Sequence, residues 1–179
     1  VYTTTEPSEA LMLGGNVVVL DEGRVLQTGA TAAVYQRPVT LRAAEVFSDP
    51  PITALDSTVT NGRAAMGDTS PIPLSGHLAG LAEGAYRFAF RSNHLWLASQ
   101  GEGDVAISGK VELAEINGSE TFVYVHHGKS AFVVQQEGVH PFAMGAPISV
   151  FLNPKHLFVY DSAGRLVAAP PAAGIAEQR

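Results

Sequence analysis

The chain has 179 residues, 46% of them hydrophobic and 16% charged, which is typical of a globular protein with room for one ordinary domain, or for a small domain and part of another. No stretch approaches the ~20 consecutive apolar residues that cross a bilayer, which argues against a membrane-spanning helix. The formal net charge of -6 argues against nucleic-acid binding, and the absence of cysteine excludes disulfides, thiolate metal sites and cysteine nucleophiles.

Residues 1–47 have a mixed α/β pattern. The opening Val1–Thr5 is β-prone and lacks the basic start and apolar core of a signal peptide. We therefore expect a cytoplasmic chain that opens inside a strand, as a fragment of a longer protein would. A short helix is predicted after Pro7, with Ser8 as a possible cap and an end at Gly14-Gly15.

An all-apolar run, Val17–Leu20, comes next. It does not alternate, which predicts a strand covered on both faces, as in a parallel sheet between helices. A glycine-bearing turn then predicts a hairpin with Arg24–Gln27. Two helical pieces, Thr31–Gln36 and Thr40–Phe47, complete this part of the chain.

Consecutive prolines in Ser48–Pro51 mark a boundary, because they remove backbone donors and force an extended path. We predict a β domain at residues 48–168 and a loose tail at 169–179. Asn61-Gly62 predicts a hairpin, and short strands at regular spacing favour a barrel or a sandwich. The further predicted strands are Tyr86–Arg91, Leu95–Ala98, Val105–Ile116, Thr121–His126, Ala131–Gln135, Ile148–Leu152 and Leu157–Tyr160.

One segment imitates a phosphate-binding loop. Gly128-Lys129-Ser130 has the ending of such a loop, but its leading glycine would have to stand where the chain has Val123. The flanking residues also predict strand, turn and strand, whereas a phosphate cradle needs a helix N-terminus. The sequence therefore predicts an ordinary hairpin turn here.

The six histidines raise the question of a metal site. His126 and His127 are adjacent, and neighbours on a strand point to opposite faces, so they cannot converge on one ion together with His140 unless a bulge intervenes. Asn117-Gly118-Ser119 fits a glycosylation sequon, but the favoured interpretation is again a hairpin turn. The sequence predicts no metal site and no catalytic constellation on this chain.

The first 51 residues resemble a known pattern. VYTTTEPSEAL, VVVLDEGRVLQTG, AAVYQRP and SDPP follow one another in the order and spacing of the end of the nucleotide-binding domain in maltose-type and glycerol-phosphate-type ABC importers. That family has a strand ending in Thr-His-Asp, a "hVVLxxGxhxQxG" strand, a "hYxxP" helix end and a Pro-Pro exit into a regulatory domain.

The rest of the chain continues the resemblance as far as about residue 168. Arg91 to Leu95 is similar to the family's Arg-Pro-Glu-His-Leu, with Ser92 and Asn93 as departures. The segments beginning at Gly109 and Asn153 are similar to the two later motifs of its transport-associated OB (TOBE) segment. The regulatory-domain motif residues matched in this way are Arg91, His94, Glu115, Gly118, Glu120, Asp161 and Gly164.

The resemblance implies a mainly β fold, with an OB-like β-barrel regulatory domain preceded by an α/β remnant of the nucleotide-binding domain. It implies a parent ATPase that uses ATP and Mg²⁺ at the inner face of the membrane, with permease subunits and a second, identical or paralogous, ATPase subunit as partners. The β domain would dimerise and receive a regulatory protein or a small effector. Sugars, glycerol-3-phosphate and polyols are the implied solutes, and the fragment itself would neither bind nor hydrolyse ATP.

The switch segment departs from the family. Thr5 stands where the family has its switch histidine, and Glu6 replaces the acid that follows. A threonine hydroxyl is shorter and does not titrate near neutrality, so the resemblance implies a degenerate ATP site in the parent. The alternative is that Thr5 satisfies a local backbone group.

A stand-alone OB-like module that binds a small ligand remains the other hypothesis for the whole chain. Such a module needs only the residues from about 50 onward, whereas an ATPase fragment also accounts for Val1 to Phe47.

Overall fold

The computed structural model describes residues 1–67 and 69–172, and it is mainly β. Three short helices lie near the amino terminus: α1 (Pro7–Leu13), α2 (Thr31–Gln36) and α3 (Leu41–Val46). The strands are β1 (Asn16–Asp21), β2 (Arg24–Ala30), β3 (Thr53–Thr60), β4 (Arg63–Met66), β5 (Ile72–Pro73), β6 (Gly84–Phe90), β7 (Leu95–Trp96), β8 (Val105–Asn117), β9 (Glu120–His127), β10 (Ser130–Glu137), β11 (Pro147–Leu152), β12 (Phe158–Tyr160) and β13 (Leu166–Ala168).

The elements from α1 to α3, here called the α/β segment (residues 7–47), are built around one hairpin. β1 and β2 pair antiparallel, and they form a sheet of two strands. Only Val19 of the predicted apolar run is buried; Val18 and Leu20 are 53% and 58% exposed. The prediction of a two-sided strand in a parallel sheet is therefore wrong for this chain, because helices cover a single face of the hairpin.

Helix α1 corrects two further predictions. Residues 1–5 form no strand. Glu6, not Ser8, occupies the position before the helix, and it makes no side-chain capping bond. Pro7 starts the helix instead, where its missing N–H would have had no partner in any case.

Residues 53–168, here called the β body, contain two antiparallel sheets. One has six strands in the order β13-β12-β6-β3-β4-β5, and the other has five in the order β10-β9-β8-β11-β7. Alternate residues of both sheets point inward and form one continuous apolar core, which includes Leu55 and Phe88 of the first sheet and Val123 and Val134 of the second.

One side-chain amide, that of Gln136, bridges the two edges of the five-stranded sheet. The edge strands β10 and β7 share no backbone ladder, but Gln136 on β10 donates from Nε2 to the carbonyl of Leu95 on β7 at 3.0 Å. Its Oε1 accepts from the backbone N of Leu97 at 3.5 Å. The sheet is thereby nearly closed into a barrel, and the predicted mainly β, OB-like fold class is confirmed.

Glycine-containing turns connect the strands of the main hairpins. Asn61 and Gly62, both with positive φ, connect β3 to β4, and residues 118–119 connect β8 to β9. Gly128-Lys129 connects β9 to β10, as predicted.

The sequence did not predict the short strands β5 and β13, since pieces of two and three residues leave no periodic signal. Ala169, the first residue of the predicted tail, is 6% exposed, and residues 173–179 of that tail lie outside the described residues.

Candidate functional site at the junction of the α/β segment and the β body

Arg91 lies at the centre of the junction between the two parts. It follows strand β6 directly and is only 4% exposed. Its Cζ lies 3.5 Å from the centroid of the Tyr35 ring, and its Nη2 donates to the carbonyl of Tyr35 at 2.7 Å. Its Nη1 donates to the hydroxyl of Ser48. One guanidinium therefore holds helix α2, the segment after α3 and strand β6 together.

No carboxylate forms an ion pair with the buried Arg91 among the described residues, so other groups must stabilise its charge. The aromatic face of Tyr35 and two oxygen acceptors take that role. Burial lowers the pKa of Arg91, while Tyr35 and Tyr160 oppose this shift. The hydroxyl of Tyr160 is buried and has no hydrogen-bond partner among the described residues. Burial raises the pKa of Tyr160, and Arg91 partly offsets this shift. Breaking the contact would leave a buried charge unpaired, which is costly.

A second contact joins α3 to the β body. The N–H of Leu41 donates to the carbonyl of Gly164 at 2.8 Å, and the N–H of Leu166 donates to the carbonyl of Val39 at 3.0 Å. An apolar cluster lies beside these bonds and draws on both parts; it contains Leu41, Ala44, Ile52, Ala89, Phe158, Tyr160 and Ala169.

Asp161 and Gly164, two of the predicted motif residues, shape the turn at this contact. Asp161 Oδ1 accepts from the backbone N of Ala163 and of Arg165, both at 2.9 Å, and these bonds lower the pKa of Asp161. Gly164 has φ +75°, which a side chain would disfavour. The structure places both residues where they present the Gly164 carbonyl to helix α3.

His94, also predicted, stacks on His156 with ring centroids 4.3 Å apart, and Trp96 lies 5.6 Å from His156. Burial lowers the pKa of His94 to about 4, with smaller effects from His156 and Arg91. Its Nδ1 is buried, and no group in the part of the chain that the structure describes bonds to it. The sequence indicated neither His156 nor Trp96 as a site residue, although His156 lies in the motif from Asn153 to Leu157. Only the fold brings His94 against His156.

The remaining motif residues lie along the hairpin of β8 and β9. Glu120 accepts from Gln135 Nε2 at 2.9 Å, and Gln135 Oε1 accepts from the hydroxyl of Ser92 at 3.2 Å, so Glu120 reaches the strand end next to Arg91 through one side chain. Glu115 accepts from the hydroxyl of Tyr124 at 3.1 Å on the outer face of the sheet. Gly118 forms the hairpin turn with φ +62°.

An open groove of about 730 Å³ runs along that outer face. Asp49, Pro50 and Pro51 of the segment between the two parts line one side of it, and Glu115, Ile116, Asn117, Phe122, Tyr124 and Val133 line the other. The groove is thus part apolar and part acidic.

Thr5 and Glu6 lie apart from the junction and are exposed. The hydroxyl of Thr4, not that of Thr5, accepts from the backbone N of Glu6 at 2.9 Å.

Lys129 lies in a hairpin turn, away from any helix N-terminus, so the residues around it do not form a phosphate cradle.

The predicted opposition of His126 and His127 is confirmed, since His126 is exposed and His127 is 9% exposed. His127 Nδ1 bonds the carbonyl of Ser108 at 2.6 Å, and His140 Nε2 bonds the carbonyl of Glu137 at 2.8 Å. Across residues 1–67 and 69–172, no group of three or more potential ligands is placed to hold a metal ion. In the same residues, no helix is long and apolar enough to cross a membrane.

Comparisons with known proteins extend over both parts of the chain. The TOBE domain family matches residues 88–159. The sn-glycerol-3-phosphate import ATP-binding protein UgpC of Chromohalobacter salexigens is 30% identical over 171 residues, which is 93% of this chain and 45% of that protein. The lactose transport ATP-binding protein LacK of Rhizobium radiobacter is 29% identical over 178 residues, which is 93% of this chain and 48% of that protein.

A third relative is the ABC transporter ATP-binding protein y4oS of Sinorhizobium fredii, which is 35% identical over 133 residues, 72% of this chain and 34% of that protein. The chain spans less than half the length of these relatives. Among solved structures, the cytoplasmic molybdate-binding protein ModG matches 66% of this chain and 96% of its own chain, with a TM-score of 0.43 and 14% identity, values too low to define a shared fold.

Proposed function

Because this chain is a relative of the ATP-binding subunits of carbohydrate-type ABC importers and carries a TOBE domain, as its motifs predicted, we propose that it forms the carboxyl-terminal part of such an ATPase subunit. The observation that carries this proposal is the extent of the similarity, which covers 93% of the chain and includes both the α/β segment and the β body. A stand-alone OB-like module would not need the α/β segment.

The surface of the α/β segment supports the same proposal. Val18, Leu20 and Val25 of the β1–β2 hairpin are each more than half exposed, as are Met12 and Leu13 of α1. An apolar face of this kind, on a sheet of two strands, is expected to be covered by further elements of a nucleotide-binding domain. In the longer protein we propose ATP and Mg²⁺ as cofactors, permease subunits as partners, and a place at the cytoplasmic face of the membrane.

The proposed solutes are sugars, glycerol-3-phosphate or polyols, in line with the names of the relatives. We propose that this chain by itself does not bind nucleotide phosphates, and the hairpin turn formed by its P-loop-like segment supports this. We therefore expect no ATP binding by this chain alone, and micromolar affinity in calorimetry would contradict that expectation.

We further propose that the β body dimerises and regulates. Its outer face carries a cross-strand row in which Leu113 pairs with Tyr124 and Tyr124 with Val133. Leu113 is 42% exposed. A second copy of the same row is the proposed occupant of this face. A regulatory protein or a small effector is proposed to act through the β body of the assembled pair.

Light scattering on two sets of variants tests the dimer. Leu113→Glu places a charge in the row and is expected to give a monomer, while Val139→Glu, at an exposed apolar residue outside the row, leaves the dimer intact. Val18→Ser combined with Leu20→Ser removes the competing apolar face of the hairpin. If the hairpin variant is monomeric and Leu113→Glu is not, the self-association comes from the α/β segment and the proposed interface is wrong.

Thr5 is proposed as a degenerate switch position in the longer ATPase, which would then work beside an intact paralogous subunit. A switch histidine at this place commonly contributes roughly 10²-fold to 10⁴-fold in rate. Thr5→His in the longer protein is expected to raise its turnover of ATP. A normal rate in the unmodified protein, or no gain from the histidine, would rule this out.

A further inference from the structure

Two apolar clusters meet at the junction and share no residue. The first, here called the hairpin cluster, is centred on Val19, Val34 and Phe47, with Tyr35 packed against it. The second, the junction cluster, joins Leu41 and Ala44 of α3 to the β body. Helix α3 contributes to both clusters, because its last residue Val46 and the following Phe47 pack against β1, β2 and α2. The elements β1, β2 and α2 are here called the hairpin unit (residues 16–36).

Arg91 bridges these two clusters. On one side its Cζ lies 5.5 Å from the ring centroid of Phe158, a member of the junction cluster. On the other side it lies over the ring of Tyr35, which meets Phe47 edge-on with centroids 6.2 Å apart. The Tyr35 carbonyl also accepts from the guanidinium, and Ser48 supplies the third partner between the two clusters.

We propose that Arg91 is a latch, a side chain that holds the hairpin unit at one position on the β body. This inference rests on the proposed function only for its biological meaning, since in an ATPase subunit the latch would connect the nucleotide-binding part to the regulatory part. The guanidinium is planar and rigid, and Tyr35 provides both its stacking face and one of its acceptors. A displacement of α2 removes both contacts together, so the connection opens in one step and does not stretch.

Besides Arg91, the hairpin unit has an apolar contact with Val46 and Phe47 at the end of α3, and its other polar contacts are weaker restraints. Backbone bonds between the α/β segment and the β body involve Val39 and Leu41, which lie beyond α2. Gln27 on β2 bonds the carbonyl of Arg37 and the N–H of Val39, both within the connection to α3. Arg42 of α3 pairs with Asp21 at 2.7 Å, but the Arg42 side chain is 54% exposed, and exposed pairs stabilise little.

Hydrogen exchange measured by mass spectrometry tests the latch in this chain. Arg91→Met keeps the length of the side chain and removes its charge and donors. We expect the amides of α2 to exchange roughly ten-fold to a hundred-fold faster, because a buried cation–π contact and two charged hydrogen bonds are lost. The central residues of β9, Val123 and Val125, are expected to keep the exchange of the wild type.

Arg42→Met is the matched control, since Arg42 also connects to the hairpin but on the surface, and its effect on α2 is expected to stay within about two-fold. Arg91→Lys keeps the charge without the planar fork and is expected to release α2 by a smaller factor than Arg91→Met. In a double-mutant cycle, Tyr35→Leu is expected to add little once Arg91 is replaced.

Two results would overturn the latch. The first is unchanged exchange of α2 in both Arg91 variants. The second is an equal rise in β9, because Arg91 would then be an ordinary support of the β body. The measurement needs neither dimer nor nucleotide, so a monomeric β body would reject the proposed dimer and leave the latch standing, whereas unchanged α2 exchange would reject the latch alone.

Discussion

The β body and the α/β segment bury their apolar side chains in different ways. The β body pairs its strands into two sheets, and the amide of Gln136 nearly closes one of them. The core that they enclose draws on both sheets. The α/β segment has a small core around Val19, Val34 and Phe47 and leaves Val18 and Leu20 more than half exposed. The first part is therefore built to be stable by itself, while the second depends on what it contacts.

The strongest test of this contrast is a cavity in the β body. Phe88 is fully buried on β6, where it faces Leu55 of β3 and Val159 of β12 in register. Phe88→Ala is expected to lower the free energy of unfolding by about 3–5 kcal/mol, since large-to-small changes in a closed core leave a void. Denaturant titration followed by circular dichroism measures the loss. A loss below about 1 kcal/mol would show that the β body is not the tightly packed part.

Acid is expected to have a smaller effect on the free energy of unfolding, and it acts at the stacked rings of His94 and His156 in the β body. The pKa of His94 falls from 6.5 to about 4 in the folded protein, because burial disfavours the charged ring and His156 and Arg91 add repulsion. Burial also lowers the pKa of His156, and the smaller effects of Lys155 and His77 act in the same direction, while Asp104 opposes them. The unfolded chain takes up a proton as the pH falls below 6.5, while the folded chain resists until about 4. The contribution of His94 is thus fully present above pH 6.5 and is lost by about pH 4, at most about 3 kcal/mol.

Thermal or urea unfolding at several pH values measures how the free energy of unfolding depends on pH. His94→Phe is expected to flatten this dependence between pH 6.5 and 4, and His126→Gln, at an exposed histidine on β9, is the control and is expected to leave it unchanged. Equal slopes in the wild type and His94→Phe would show that His94 is not held neutral by the fold.

The smallest change in the free energy of unfolding is expected for a substitution on the exposed face of the β1–β2 hairpin. Val18 is 53% exposed on β1, so Val18→Ser removes little buried surface and is expected to change the unfolding free energy by less than about 0.5 kcal/mol. Val19→Ser, one residue away but 3% exposed, is the control and is expected to release the hairpin cluster. Similar losses in the two variants would mean that the hairpin is covered on both faces in solution.

Much of the local structure follows from the residues themselves. The Asn61-Gly62 turn and the Gly128-Lys129 turn were predicted because they need positive φ or a tight reversal, and glycine and asparagine tolerate both. The opposite burial of His126 and His127 follows from the two-residue period of a strand. The run Val17–Leu20 predicted a strand but the wrong partner, because the apolar sequence reports what a strand can bury and not which neighbour is present.

The sequence by itself therefore determined the turns, most of the strands, the mainly β class and, through its motifs, the relationship to importer ATPase subunits. Only the tertiary structure decided what the motif residues contact. Arg91 meets Tyr35 across 56 positions of sequence and Ser48 across 43, and His94 stacks on His156. Turns and strand periods depend on neighbouring residues and are visible in a short window, whereas the partners of a buried charge depend on how distant elements pack together.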